Sequence, residues 1–193
     1  MMDSEVPHTD LCSRVVQQLR QIRVDLLLLT EKYVEAHGLH NLTHFDFPGG
    51  NASMDSDMWA EMTMEERLRS NITAYLDFER RLMQVIEEQG DNLLQREGTL
   101  HSGLRGILRQ VSALRCHLEH LGTTMGLEKE LGKGIDEVDR SSGGVFERKV
   151  RGYHVLRDLE VWALRSVRDI RKLQREKGNL AIRAETSTET SEQ

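Results

Sequence analysis

The stretch Leu100-His-Ser-Gly-Leu104-Arg-Gly-Ile107-Leu-Arg-Gln-Val111-Ser-Ala-Leu114-Arg-Cys-His-Leu118-Glu-His-Leu121 decides the fold class. Its aliphatic positions Leu100, Leu104, Ile107, Val111, Leu114, Leu118 and Leu121 recur at spacings of 4, 3, 4, 3, 4 and 3. That is one unbroken apolar seam along a helix, and Gly122 is read as its stop. Upstream, Leu11, Val15, Leu19, Ile22, Leu26, Leu29 and Tyr33 repeat the pattern at 4, 4, 3, 4, 3 and 4. A first helix is therefore expected from Asp10 to His37, about 42 Å long at about 1.5 Å per residue, with Gly38 behind it as a C-terminal stop.

The other two long helices are read the same way. Thr63-Met-Glu-Glu66 has the spacing of a capping box. It opens a second helix lined by Leu68, Ile72, Tyr75, Phe78, Leu82 and Ile86 and closed at Gly90. A fourth runs from Val145 to Lys177 with Val150, Tyr153, Leu156, Leu159, Ala163, Val167, Ile170 and Leu173 inward. Between the first and second, from Leu39 to Met62, the period vanishes, and Pro48, Gly49 and Gly50 mark an irregular connection that holds Trp59. A second long connection runs from Thr123 to Gly144.

Connection length sets topology. About five to eight residues join the second and third helices and reach at most about 25 Å, too little to return along a helix of about 40 Å. Those two helices must be antiparallel. The two long connections can each cross the full bundle. An all-α, long-chain four-helix bundle with up-up-down-down, cytokine-type topology and two long crossovers is expected; up-down-up-down with decorated loops is the alternative. The segments read as a flexible N-terminus over 1–9, a bundle over 10–177 and a disordered polar tail over 178–193.

Composition agrees. The 193 residues hold only 15 Gly, 2 Pro and, as aromatics, 2 Trp, 3 Tyr and 4 Phe, too few turn-formers for a sandwich or barrel. The longest aliphatic run, Leu26–Leu29, is far short of a bilayer span. The opening Met1-Met2-Asp3-Ser4-Glu5 is acidic and has no secretory signal character, so a cytoplasmic origin is expected. Net charge of −6 weighs against nucleic acid. Cys12 and Cys116 can form one bridge at most and are read as free thiols, because the seam turns Cys116 outward.

Chemistry-bearing patterns are sparse. The one Glu-x-x-His, Glu5 to His8, lies outside the helices, so no di-iron centre is expected. Cys116, His117 and His120 could in principle hold zinc, yet they flank the seam and read as surface. No nucleophile elbow, phosphate loop or Cys-x-x-Cys occurs, so neither an enzyme nor a cofactor is expected. Asn41-Leu-Thr43, Asn51-Ala-Ser53 and Asn71-Ile-Thr73 match the glycosylation sequon and read as idle, Asn71 lying inside a helix.

Two features point to partners. Phe146 and Lys149 share a face at the start of the fourth helix, after Gly143-Gly144. A cation there opposes the helix dipole, no carboxylate cap is evident, and Phe146 either closes the core end or is presented. Second, residues 146–177 carry ten basic and five acidic side chains, a local +5, with Arg165, Arg168, Arg171, Lys172 and Arg175 on the outer side. Trp59 is either clamped over the bundle or displayed; Trp and Arg are common interface anchors.

Three blocks then carry a resemblance. They are Asp10-Leu-Cys-Ser-Arg14 with Gln21-Ile-Arg-Val-Asp25 and Leu29-Thr-Glu-Lys-Tyr-Val34, Gly38 and Leu39; Asp57-Met-Trp59 with Thr63-Met-Glu-Glu-Arg-Leu68, Ala74 and Tyr75; and Gly143-Gly144-Val-Phe146-Glu147-Arg-Lys149 with Val155, Leu156 and Trp162-Ala-Leu-Arg165-Ser166-Val-Arg-Asp169-Ile-Arg171. Together they cover about half the chain in order, and the chain strongly resembles the interleukin-six-type helical cytokines. The resemblance implies a monomeric receptor ligand that acts extracellularly and assembles a specific α-receptor, the leukaemia inhibitory factor receptor and a shared glycoprotein signal transducer. Phe146 and Lys149 match the motif that meets the leukaemia inhibitory factor receptor. Trp59 and Arg165 match the α-receptor surface, with Arg168 and Arg171 beside them, and Gln17, Gln21 and Val24 lie on the helix that meets the transducer. The chain departs from the family at Val150-Arg151-Gly152, at Cys116 and in both long connections. From another class, an intracellular helical scaffold docking its basic fourth helix onto acidic membranes or proteins is the competing reading.

Overall fold

A computed structural model describes residues 8–42, 56–90, 98–127 and 144–189. Among the described residues five α-helices follow in order: α1 His8–His37, α2 Ser56–Glu61, α3 Met64–Gly90, α4 Thr99–Thr124 and α5 Val145–Glu189, with a 3-10 turn at His40–Leu42. Four are the long helices read from the periodicity. The fifth, α2, lies in the connection read as irregular. Six residues are too few to show a period, though Asp57 in its first turn suits the positive end of a helix.

Contacts between the helices fix their directions. Gln110 donates to Asp25 at 2.8 Å and His117 Nδ1 lies 2.9 Å from Gln18 Oε1, so α4 runs antiparallel to α1. Gln174 reaches Ser13 at one end of α5 while Tyr33 reaches the Lys149 carbonyl at the other, so α5 also opposes α1. Arg115 pairs with Glu79 at 2.8 Å, and Ile72 lies beside Gly122, setting α4 against α3. Arg67–Asp169 and Arg151–Glu88 set α5 against α3. Gln89 at the end of α3 meets Tyr33 near the end of α1, so those two run the same way. The order is up, up, down, down, with α1 and α3 each packed against both α4 and α5.

The seam residues form the core. Leu104, Ile107, Val111, Leu114, Leu118 and Leu121 of α4 are buried in one core with Leu19, Ile22, Leu26 and Tyr33 of α1 and Leu156, Leu159, Ala163 and Ile170 of α5. Leu100 and Ile86 are only partly buried at the rim. Such faces carry most of the stability of amphipathic helices.

Helix ends follow local chemistry. Thr63 Oγ1 accepts from the Glu66 amide at 3.2 Å and a Glu66 carboxylate oxygen accepts the Thr63 amide at 2.7 Å, a reciprocal capping box. Those bonds hold the Glu66 carboxyl below the usual range. Gly38, at φ +66°, ends α1: the Leu39 amide bonds to the Val34 carbonyl and the Gly38 amide to that of Glu35. The sequence placed the α4 stop at Gly122, but the helix runs two residues further. Gly126, at φ +77°, makes the same closure, with the Leu127 amide on the Gly122 carbonyl. Gly122 itself is buried in regular helix.

At the C-terminus α5 continues to Glu189, past the Lys177 end inferred from apolar spacing. Much of the segment expected as a disordered tail from 178 is thus helical backbone, and 190–193 lie outside the described residues. Leu180-Ala-Ile-Arg-Ala-Glu185 are good or moderate helix formers, and extending an existing helix needs no new nucleus. Of the N-terminal segment expected to be flexible, residues 8 and 9 open α1 and 1–7 lie outside the described residues. Among the described residues no helix is long and apolar enough to cross a membrane.

Candidate functional site

Trp59 is clamped. It is 8% exposed, and α2 lays its indole over the groove between α3 and α5. Nε1 donates to Asp169 Oδ1 at 3.0 Å. The Arg165 guanidinium stands 4.8 Å from its ring centroid and 5.5 Å from that of Trp162, while Trp59 and Trp162 meet edge to face at 5.8 Å. The fold thus brings Trp59 and Arg165 together from positions 106 apart in the chain.

Beneath them lies a buried polar network whose members the sequence reading did not assemble. Arg67 Nη1 donates to Asp169 Oδ1 at 3.3 Å, and its other nitrogens donate to the carbonyls of Met62 and Ala60. Asn71 Nδ2 donates to the second Asp169 oxygen at 3.1 Å and to the Arg67 carbonyl. Asn71 Oδ1 accepts Trp162 Nε1 at 3.1 Å and lies 2.6 Å from Ser166 Oγ, which is also 2.9 Å from the Trp162 carbonyl and 2.8 Å from the Tyr75 hydroxyl. A buried charge and amide are tolerated because nearly every polar atom has a partner. The signal was legible: Arg67 and Asn71, and Trp162, Ser166 and Asp169, recur at helical spacing on inward faces. Asn71 is fully buried, so its sequon is sealed in the folded chain.

Further along α5, Arg168 and Arg171 are exposed and line a shallow concavity with Gln174 and Arg175. Arg165 and Lys172 are half-buried, and Lys172 approaches Glu176 at 4.0 Å. Part of the basic stripe thus serves the fold and part faces outward.

The opposite pole carries Phe146 and Lys149. Phe146 is 60% exposed and Val145 is more so, which removes the core-closing reading of Phe146. Contrary to the sequence expectation, a carboxylate does cap this helix start: Glu147 Oε2 accepts the Gly144 amide at 3.1 Å. That carboxylate offsets the unfavourable cations of the first turns. Lys149 is half-buried, with Tyr33 donating to its carbonyl at 3.1 Å. His37 lies edge-on to Tyr33 at 4.5 Å; burial first, then Lys149, hold it below the ordinary histidine range, against a Gln89 contact. About 29 Å of helix separates Phe146 from Arg165, at about 1.5 Å per residue, so these are two surfaces.

On α1, Gln17 and Gln21 are exposed and Val24 is 53% exposed, with Gln21 donating to Asp25 at 2.9 Å. Leu27 and Leu28 extend this apolar face, which the sequence reading did not extend past Val24. Leu28 borders a groove toward α4 whose floor is shaped by Gly103 and Gly106. A Cβ on Gly103 would stand 2.7 Å from Leu29, so glycine permits that approach.

Among the described residues Cys12 is buried and Cys116 exposed, and neither is in a disulfide. Among the described residues no group of three His, Cys, Asp or Glu side chains gathers to hold a metal ion.

Four long helices running up, up, down, down, with separate exposed patches at the two poles and on α1, define a helical cytokine bundle. Comparison with known proteins narrows that class. Residues 3–190 match the ciliary neurotrophic factor family. The chain is 36% identical to human ciliary neurotrophic factor over 169 residues, covering 86% of this chain and 84% of that protein. It is 37% identical to the mouse protein over 164 residues (84% and 82%) and 39% identical to the chicken protein over 151 residues (77% and 76%). The chain belongs to the ciliary neurotrophic factor family.

Proposed function

We propose that this chain is an extracellular receptor ligand that assembles the ciliary neurotrophic factor α-receptor, the leukaemia inhibitory factor receptor and the shared interleukin-six-family signal transducer, starting JAK-STAT signalling. One observation carries the reading: Phe146, 60% exposed beside Lys149 on a helix start that Glu147 already caps, so that the fold itself has no use for the aromatic ring. That pair is assigned to the leukaemia inhibitory factor receptor. Arg165, braced on two indoles, and the outward Arg168 and Arg171 are assigned to the α-receptor, where guanidinium groups pair bidentately with carboxylates. Gln17, Gln21 and Val24 are assigned to the transducer. Trp59 enters the α-receptor surface as the indole that backs Arg165.

Purified protein added to α-receptor-positive cells is expected to trigger phosphorylation of the transcription factors downstream of the transducer. Arg165→Ala is expected to weaken α-receptor binding by about 2 kcal/mol or more. Silence at micromolar protein, with binding to anionic liposomes instead, would favour the scaffold reading, for which the Arg168–Arg171–Arg175 concavity is the supporting feature.

A further inference from the structure

The two turns of α5 that present Phe146 and Lys149 have little apolar anchorage of their own. Val145, Phe146 and Glu147 are exposed, Arg148, Lys149 and Val150 are half-buried, and full burial begins only at Gly152 and Tyr153. Two long-range attachments among the described residues help hold them to the bundle. Arg151 pairs with Glu88 of α3 at 2.7 Å. Tyr33 of α1, fully buried, donates its phenol to the Lys149 carbonyl at 3.1 Å and lies within 3.4 Å of the donating Gln89 amide.

The second attachment is built with unusual closeness. An ideal Cβ on Gly152 would stand 2.1 Å from the Tyr33 hydroxyl oxygen and 2.7 Å from Cζ. Only glycine leaves the notch into which the phenol fits. The Lys149 carbonyl takes the phenol on a lone pair that the helix's own hydrogen bond does not need. Burial pushes the phenol pKa well up, so it stays a donor throughout physiological pH. His37 closes the ring edge at 4.5 Å. A phenylalanine would fill the same volume; what the hydroxyl adds is a bond to the main chain of Lys149 itself.

We propose that Tyr33 is a positioning residue for the receptor contact: seated in the Gly152 notch, it fixes the rotation and register of the first turns of α5 so that Phe146 and Lys149 face one partner together. This rests on the assignment of Phe146 and Lys149 to the leukaemia inhibitory factor receptor. The test compares Tyr33→Phe, Gly152→Ala and Phe146→Ala in the full chain, each measured against the ectodomains of that receptor and of the α-receptor well below the melting temperature. Tyr33→Phe is expected to keep its helical circular dichroism and its α-receptor affinity. It should lose about 3- to 10-fold toward the leukaemia inhibitory factor receptor, the scale of one hydrogen bond. Gly152→Ala, which evicts the phenol, should lose more with the same selectivity. The proposal is overturned if Tyr33→Phe binds both ectodomains as the wild type does while Phe146→Ala is impaired, or if Tyr33→Phe loses both affinities equally, which is what a merely structural role produces. If Phe146→Ala binds normally, the receptor assignment of Phe146 fails, and this inference with it.

Discussion

Trp59 and Asp169 are joined at 3.0 Å across 110 positions, indole Nε1 to carboxylate Oδ1, and the same carboxylate oxygen receives Arg67 at 3.3 Å. One buried carboxylate thus ties α2 and α3 to α5. Removing one partner of such a pair leaves an uncompensated charge. Asp169→Ala is expected to lower the unfolding free energy by about 3–5 kcal/mol, read from urea denaturation. Replacing Arg67 and Asp169 together by Met and Leu should cost clearly less, and equal losses would show that the pair is not coupled.

Phe146→Ala with Lys149→Ala should stay folded. A buried aromatic costs about 3–5 kcal/mol on truncation, whereas a ring 60% exposed has little burial to lose. The double variant is expected to melt close to the wild type, bind the α-receptor, fail to signal and compete with the wild type on responsive cells. Normal signalling would remove the assignment.

His37 is expected to make the pole acid-sensitive. Its folded pKa lies below the value of about 6.5 for the unfolded chain, so between the two the unfolded chain holds more protons. Its contribution to stability is complete above that range and is lost as pH falls through it. With 8 His in the chain, the difference between wild type and His37→Gln isolates this one. Urea midpoints should fall more steeply below about pH 6.5 for the wild type; parallel curves would refute the assignment.

The thiols should separate kinetically. Cys116 is exposed and should react with a thiol reagent in the native protein. Cys12 is buried and its pKa is pushed up to about 11, chiefly by burial, so it should react only on unfolding. A fast reaction of both thiols in the native state would contradict the placement of Cys12.

The periodicity of Leu100 to Leu121 and Leu11 to Tyr33 determined by itself that the chain is helical and which faces pack, and, with loop length, made up-up-down-down the expected order, which the contacts between helices then settled. Apolar spacing is a local, repeated signal, and burial obeys it because each seam needs a partner. Family-like motifs likewise marked Phe146, Lys149, Trp59 and Arg165. The tertiary structure decided the rest. Whether Trp59 is displayed or clamped depends on Asp169 and Arg165, far away in the chain, and a six-residue helix has no period to announce it. Whether Phe146 closes the core depends on where α5 begins relative to α1 and α3. The notch at Gly152 has meaning only once Tyr33 lies in it: a single glycine carries no sequence pattern, and the distance that makes it necessary exists only between packed helices.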